Sequence, residues 1–155
     1  MTKTNALRLL EAASVPFETK EYPVSEDDLS GVTVARKTGM EPERVFKTLV
    51  AVGDKKGIVV FCIPCNCTLD LKKAALISGN KKIEMLKLSD LLAATGYVRG
   101  GCSPIGMKKA YLTFIDETCA LWDTIAVSAG VRGMQIIIAP DDLIAYTGMI
   151  PADLI

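Results

Sequence analysis

Two short stretches of this chain carry residues suited to chemistry. Residues 95–109, Thr-Gly-Tyr-Val-Arg-Gly-Gly-Cys-Ser-Pro-Ile-Gly-Met-Lys-Lys, place four glycines, a serine and a proline inside what would otherwise be a strand pattern. Glycine permits backbone conformations and close approaches closed to other residues. Pro104 fixes one φ angle and removes one N–H. Such a loop can present backbone N–H groups to a ligand oxygen; it can equally be a tight connection between two strands. Arg99, Lys108 and Lys109 supply positive charge beside it. The other stretch is Val45-Phe46-Lys47-Thr48-Leu49-Val50-Ala51-Val52, apolar on both alternating faces, as in a strand covered on both sides. Lys47 and Thr48 are its only polar members. A lysine there must reach water at the strand entrance, find an anion, or line a pocket.

The chain contains no histidine. That removes Ser-His-Asp and Cys-His catalysis and the commonest metal ligand. Cys62, Cys65 and Cys67 are close in sequence, with Cys102 and Cys119 elsewhere. A closed structural zinc site takes four ligands from paired knuckles, and Cys62 sits in an apolar strand where free cysteine packs as a small hydrophobe. Neither a metal nor a cofactor is expected. Cys102 lies inside the glycine-rich loop, but no base is visible to activate it. A site without histidine can still bind an activated ester and let geometry do the work.

The elements that must position these residues follow from periodicity and breakers. Residues 4–13 read as a helix, 17–22 as a strand, 32–39 as a helix ending at Gly39, and 45–52 with 57–64 as a hairpin across Asp54. Residues 69–78 read as a helix closed by Gly79, 81–85 as a strand, and Ser89 to Thr95 as a helix. Strands are expected at 96–99, 111–115, 124–128 and 134–138, and Pro140-Asp141-Asp142 opens a last helix to Tyr146. Mixed strands with interspersed helices indicate an α+β class. The 155 residues suit one domain spanning 1–155. The 18 basic and 18 acidic residues cancel. Neutrality argues against holding long nucleic acid by bulk charge and leaves room for binding one RNA end. The doublets Lys55-Lys56, Lys72-Lys73, Lys81-Lys82 and Lys108-Lys109 either make a local basic patch or occupy solvated turns; Lys55-Lys56 fits the hairpin turn. No apolar run approaches the roughly 18 residues of a membrane helix. The start lacks the apolar segment of a secretory signal, and five unframed cysteines suit a reducing cytoplasm.

Phe46-Lys47-Thr48-Leu49, Leu69-Asp70-Leu71-Lys72-Lys73, Lys81-Lys82-Ile83-Glu84-Met85, Thr95-Gly96-Tyr97, Gly100-Gly101-Cys102-Ser103-Pro104-Ile105-Gly106 and Val127-Ser128-Ala129-Gly130 with Arg132-Gly133 occur in that order. Together they resemble the YbaK/EbsC family of aminoacyl-tRNA deacylases, relatives of the editing domain of bacterial prolyl-tRNA synthetase. The resemblance covers nearly the whole chain. It implies a mixed, partly closed barrel-like sheet flanked by helices, and a trans-editing enzyme that hydrolyses mischarged tRNA, foremost Cys-tRNA(Pro). The substrate's own thiol would attack its carbonyl, so that no protein nucleophile is needed.

The resemblance also implies roles. Lys47 matches the lysine at the tRNA 3′ end, and Gly100 and Gly101, in an element running to Ser103 and Pro104, would position the aminoacyl carbonyl. Tyr22 and Ser128 match pocket positions, and Thr48 follows Lys47 on the opposite strand face. Two positions depart from the pattern: Gln135 stands where a close member has an acid, and Leu29-Ser30 where an aromatic is expected. Both would reshape the pocket that senses the amino acid. The aminoacyl-tRNA 3′ end is the expected partner, with prolyl-tRNA synthetase a candidate and no membrane partner. Two alternatives are a non-catalytic module that binds the tRNA end or a synthetase, and a hydrolase of another small aminoacyl ester such as Ala-tRNA(Pro).

Overall fold

Short polar side chains start the first three α-helices, and left-handed glycines end most of the helices. The computed structural model describes residues 3–155. In α1 (Asn5–Ala12), the Thr4 hydroxyl accepts the Leu7 N–H and donates to the Ala129 carbonyl at 2.6 Å, which ties the helix to the loop after residue 128. Ser30 caps α2 (Gly31–Thr38) through the Thr33 N–H, and Gly39 closes it at φ +70°. Asp70 caps α3 (Leu71–Ser78) through the N–H groups of Lys72 and Lys73. A 3-10 turn at Leu88–Asp90 leads into α4 (Leu91–Thr95), and Pro140 opens α5 (Pro140–Thr147). An oxygen side chain at the N-cap satisfies an otherwise orphaned N–H.

The strands form two sheets. The larger holds β2 (Phe46–Gly53), β3 (Gly57–Pro64), β4 (Ile83–Met85), β5 (Leu112–Asp116) and β8 (Ile150–Ala152), in the order β4-β2-β3-β5-β8. The β2–β3 hairpin is antiparallel with Lys47 opposite Ile63 and Thr48 opposite Cys62, while β3–β5 and β5–β8 are parallel. The hairpin turn is clamped by the Asn80 carboxamide oxygen, which accepts the Lys55 and Lys56 N–H groups. The smaller, antiparallel sheet holds β1 (Glu18–Glu21), β6 (Ile125–Ser128) and β7 (Met134–Ile138), in the order β1-β7-β6. Among the described residues neither sheet closes on itself. An isolated parallel bridge, Val45 to Ala126, joins β2 to β6.

Alternation on the hairpin decides the cores. Phe46 and Cys62 face Ile125, Val127, Ile136 and Ile138 of the small sheet and Leu7 and Leu10 of α1. Ala51, Val59, Phe61 and Ile63 point the other way, onto Ala74 and Ala75 of α3. A strand buried on both faces is what the apolar run predicts.

Residues 96–99, expected as a strand, are not one. Gly96 ends α4 at φ +85°, and the Gly101 N–H donates to the Val98 carbonyl to make a turn through Gly100 at φ +83°. The Tyr97 hydroxyl hydrogen-bonds the Ile105 carbonyl across the loop. Turn closure thus overrides the apolar alternation of these residues. The sequence reading also omits β8, whose Pro151 hides a strand that sits at a sheet edge, where proline is tolerated.

Candidate active site

Beyond the Val45–Ala126 bridge the pairing of β2 with β6 stops, and a cleft of about 340 Å³ opens between the two sheets. One wall is Val45 and the start of β2, Phe46 to Leu49. The facing walls are Leu29, Ser30 and Gly31 at the start of α2, and Arg99, Gly100 and Cys102 of the glycine-rich loop. Ser128 and Gln135, paired across β6 and β7, line it from the small sheet. Two wider depressions, about 660 Å³ beside Tyr22 and Arg132 and about 570 Å³ beside Phe17, are shallow and gather few convergent polar groups.

The walls approach because of small residues and a buttressed loop. Gly31 packs on Cys65, where a methyl group would stand 2.5 Å from the Cys65 Cβ. The segment before α2 is tied down by Asp28, which accepts from the Thr33 hydroxyl at 2.6 Å and the Ser30 N–H at 3.1 Å. Hydrogen bonding from Thr33 first, then Ser30, holds the Asp28 carboxyl below its ordinary range. Arg132 donates from Nε to the Arg99 carbonyl at 2.9 Å and pairs with Glu26 at 3.0 Å, bracing the glycine loop from behind.

The cleft carries two cations, Lys47 and Arg99, and its lining holds no carboxylate and no histidine. Two thiols reach it. Burial pushes the Cys65 thiol up to about 11, against the pull of the Lys47 ammonium. Burial also pushes Cys102 up to about 11, opposed by a hydrogen bond with Thr95. Behind Thr48, whose hydroxyl lies 3.9 Å from the Cys62 sulfur, burial raises Cys62 to about 12. All three stay protonated near neutral pH, so none offers a ready thiolate. Ser128 is one of the polar groups left; its Oγ accepts the Gly130 N–H at 3.1 Å. Gln135 is another, beside Ser30 and Thr48: it is buried and its Oε1 has no partner. Such an arrangement can bind and orient a polar, partly anionic ligand, but the lining supplies neither a nucleophile nor a general base.

Of the residues singled out from sequence, the cleft brings together Lys47, Thr48, Gly100, Ser128 and Gln135. Tyr22 stands apart, lining a small void with Leu29, Gly100 and Arg132 that adjoins the cleft. Gly101 faces away from it: a Cβ there would meet the Val131 and Arg132 backbone at 3.2 Å. Ser103 is fully buried, its Oγ accepting the Ile105 N–H, and Pro104 does not line the cleft. Leu29 and Ser30, which the resemblance set at the pocket, also line it, while Gly31 and Cys65 enter it unforeseen, because only the packing of α2 on the end of β3 brings them there. No group of three or more His, Cys, Asp or Glu side chains among the described residues could hold a metal. No helix among them is long and apolar enough to cross a membrane.

The family model of the aminoacyl-tRNA editing domain matches residues 30–146, well over half of the chain. This chain belongs to the aminoacyl-tRNA editing domain family. An editing-domain relative from Enterococcus faecalis (strain ATCC 700802 / V583), EbsC, is 55% identical over 145 residues, covering 94% of this chain and 88% of its own. It carries the name of a Cys-tRNA(Pro)/Cys-tRNA(Cys) deacylase. A crystal structure described as a trans-editing enzyme for prolyl tRNA synthetase superposes with a TM-score of 0.84 at 25% identity, covering 99% of this chain and 98% of that one. The hypothetical protein APE2540 shares the fold at a TM-score of 0.86 and 17% identity, over 95% of this chain and 96% of its own.

Proposed function

We propose that this editing domain is a freestanding trans-editing deacylase acting on mischarged tRNA, with the cysteinyl ester of tRNA(Pro) as its first substrate. The observation that carries the reading is a cleft with two cations and several polar groups but no reactive group of its own. Such a site suits a substrate that brings its own nucleophile. The cysteinyl thiol attacks its own ester carbonyl, a C–S bond forms, the C–O bond to the ribose breaks, and the thiol proton passes to the ribose oxygen. Water then opens the thiolactone to free cysteine. The protein contributes orientation and donors to the developing oxyanion.

In this reading Lys47, together with Arg99, holds the terminal phosphate or ribose oxygens. Gly100 lies against the carbonyl, while Ser128 and Gln135 meet the aminoacyl group. Gly101, Ser103 and Pro104 act by shaping the loop, and Tyr22 by closing the adjoining void. The Val45–Ala126 bridge supports describing the two sheets as a partly closed barrel around this cleft, and residues 1–155 as one editing domain. A tRNA substrate places the protein in the cytoplasm, with prolyl-tRNA synthetase as a partner that could present the tRNA.

A deacylation panel of Cys-, Ser-, Ala- and Pro-tRNA(Pro) tests the reading. Cysteinyl-tRNA should turn over far faster than the nearly isosteric seryl-tRNA, because a thiol of ordinary pKa about 8.5 ionises near neutral pH and a hydroxyl does not. Equal rates would remove the thiol route, and faster alanyl turnover would move the substrate to Ala-tRNA(Pro). Stoichiometric protection without turnover would indicate a binding module.

A further inference from the structure

Between the bridge to β6 at Val45 and the pairing with β4 from Ala51, the outer edge of β2 has no strand partner, and this stretch lines the cleft. The Leu86 N–H donates to the Val50 carbonyl at 3.0 Å, so Val50 presents its peptide groups to the β4 side. The Cys65 N–H donates to the Val45 carbonyl at 2.7 Å, so odd-numbered residues of this strand turn toward β3. Peptide groups alternate sides along a strand, so the N–H and C=O of Thr48 point to the outer edge. There β4 pairs only as far as Ala51, through Met85, and β6 forms a bridge only at Val45. Among the described residues Thr48 pairs with Cys62 on the β3 side and with no strand on the other.

That edge is the part of β2 the cleft meets. Side chains of a strand point alternately to opposite faces, so a pocket against one face would be lined by every second residue. Val45, Phe46, Lys47, Thr48 and Leu49 all line this one. An open pair of peptide groups in a half-buried cleft calls for a partner, since unpaired buried groups cost about 1–3 kcal/mol each. Gly101 cannot serve as the facing donor, because its N–H is taken by the Val98 carbonyl. The Gln135 oxygen adds a second acceptor without a partner at the same cleft.

We infer that Thr48 pairs through its backbone with the aminoacyl group of the substrate, as one residue of an antiparallel strand would. The α-amine donates to the Thr48 carbonyl, and the ester carbonyl accepts the Thr48 N–H, which then faces the oxyanion as it forms. An α-amino acyl group carries this donor and acceptor at the spacing of a strand residue. This assignment rests on the deacylase reading and gives the site a preference for α-amino esters whatever their side chain.

The test uses single-turnover deacylation of cysteinyl-tRNA(Pro), of the same tRNA carrying 3-mercaptopropionyl, which lacks the α-amine, and of cysteinyl-tRNA ending in inosine. Each rate is divided by the uncatalysed rate of the same ester. Thr48→Pro deletes the N–H at an edge position, where proline is tolerated. It should keep the wild-type melting temperature and lose on the order of 10²–10³-fold in rate, as loss of one oxyanion donor does. Thr48→Val removes the hydroxyl alone and should lose at least about tenfold less than the proline variant. With unmodified protein, the des-amino ester should lose about tenfold or more, the worth of one hydrogen bond. A folded Thr48→Pro protein with wild-type rate, or equal acceleration of the des-amino and cysteinyl esters, overturns the pairing. Loss on the inosine substrate with none on the des-amino one would assign the edge to the terminal base and overturn it too. If the unmodified protein accelerates no aminoacyl-tRNA, the deacylase reading itself has failed.

Discussion

Gly31, the first residue of α2, rests directly on Cys65, the residue after β3: a Cβ on the glycine would stand 2.5 Å from the Cβ of the cysteine. That contact sets how closely the start of α2 approaches the strand that carries Lys47. The clashing atom is next to the backbone and cannot swing aside. Gly31→Ala should therefore destabilise the protein by about 1–3 kcal/mol, as overpacking does. Its melting temperature should fall by about 2–4 °C per kcal/mol for a chain of this size. Cys65→Gly in the same protein should restore much of the loss, giving a coupling between the two sites. Independent, additive effects in thermal unfolding would contradict this contact.

Lys47 and Arg99 both line the cleft, with no carboxylate in the lining. Lys47→Ala should leave the melting temperature unchanged and lower kcat/KM by roughly ten- to a hundredfold, the worth of a charge-assisted hydrogen bond of about 1.5–3 kcal/mol. Wild-type turnover in the folded variant would take Lys47 out of the site.

Gln135 gives a prediction in which stability and activity move oppositely. Its Oε1 is buried without a partner, a condition that costs about 1–3 kcal/mol. Gln135→Leu should raise the melting temperature while lowering deacylation, because the orphaned oxygen is kept for the substrate. A variant less stable than wild type and fully active would show that the oxygen serves packing instead.

The thiols supply a pH prediction. Burial raises Cys65 and Cys102 from the ordinary thiol range to about 11, and Cys62 to about 12. A raised pKa means the folded state holds the proton more tightly than the unfolded chain. The contribution is therefore complete below pH 9 and is lost as pH rises toward 11–12. Urea unfolding should show stability falling through that window, with a shallower fall in Cys62→Ala. At neutral pH the protonated Cys102 should react slowly with iodoacetamide, and Cys102→Ser should keep most activity. Rapid alkylation with complete inactivation would favour a cysteine nucleophile.

The local grammar of the chain was legible because it depends on neighbours in sequence. Gly39 and Gly79 mark helix ends by capping chemistry that acts within four residues, whereas the Ser30 and Asp70 N-caps emerged only in the structure. The double-sided apolar run at 45–52 announced a strand covered on both faces, and the absence of histidine already excluded most protein-borne catalysis. Long-range packing settled the rest. Gly100 and Gly101 read alike in sequence, yet one lines the cleft and the other turns to the Val131–Arg132 backbone. Ser128 and Gln135 meet the cleft only because β6 and β7 pair in that register. Thr48 could be placed on a strand from sequence, but whether its edge was paired depended on where β4 and β6, each distant in the chain, begin and stop. Side-chain alternation is a property of one strand; an open edge is a property of its neighbours, and only the tertiary structure decides it.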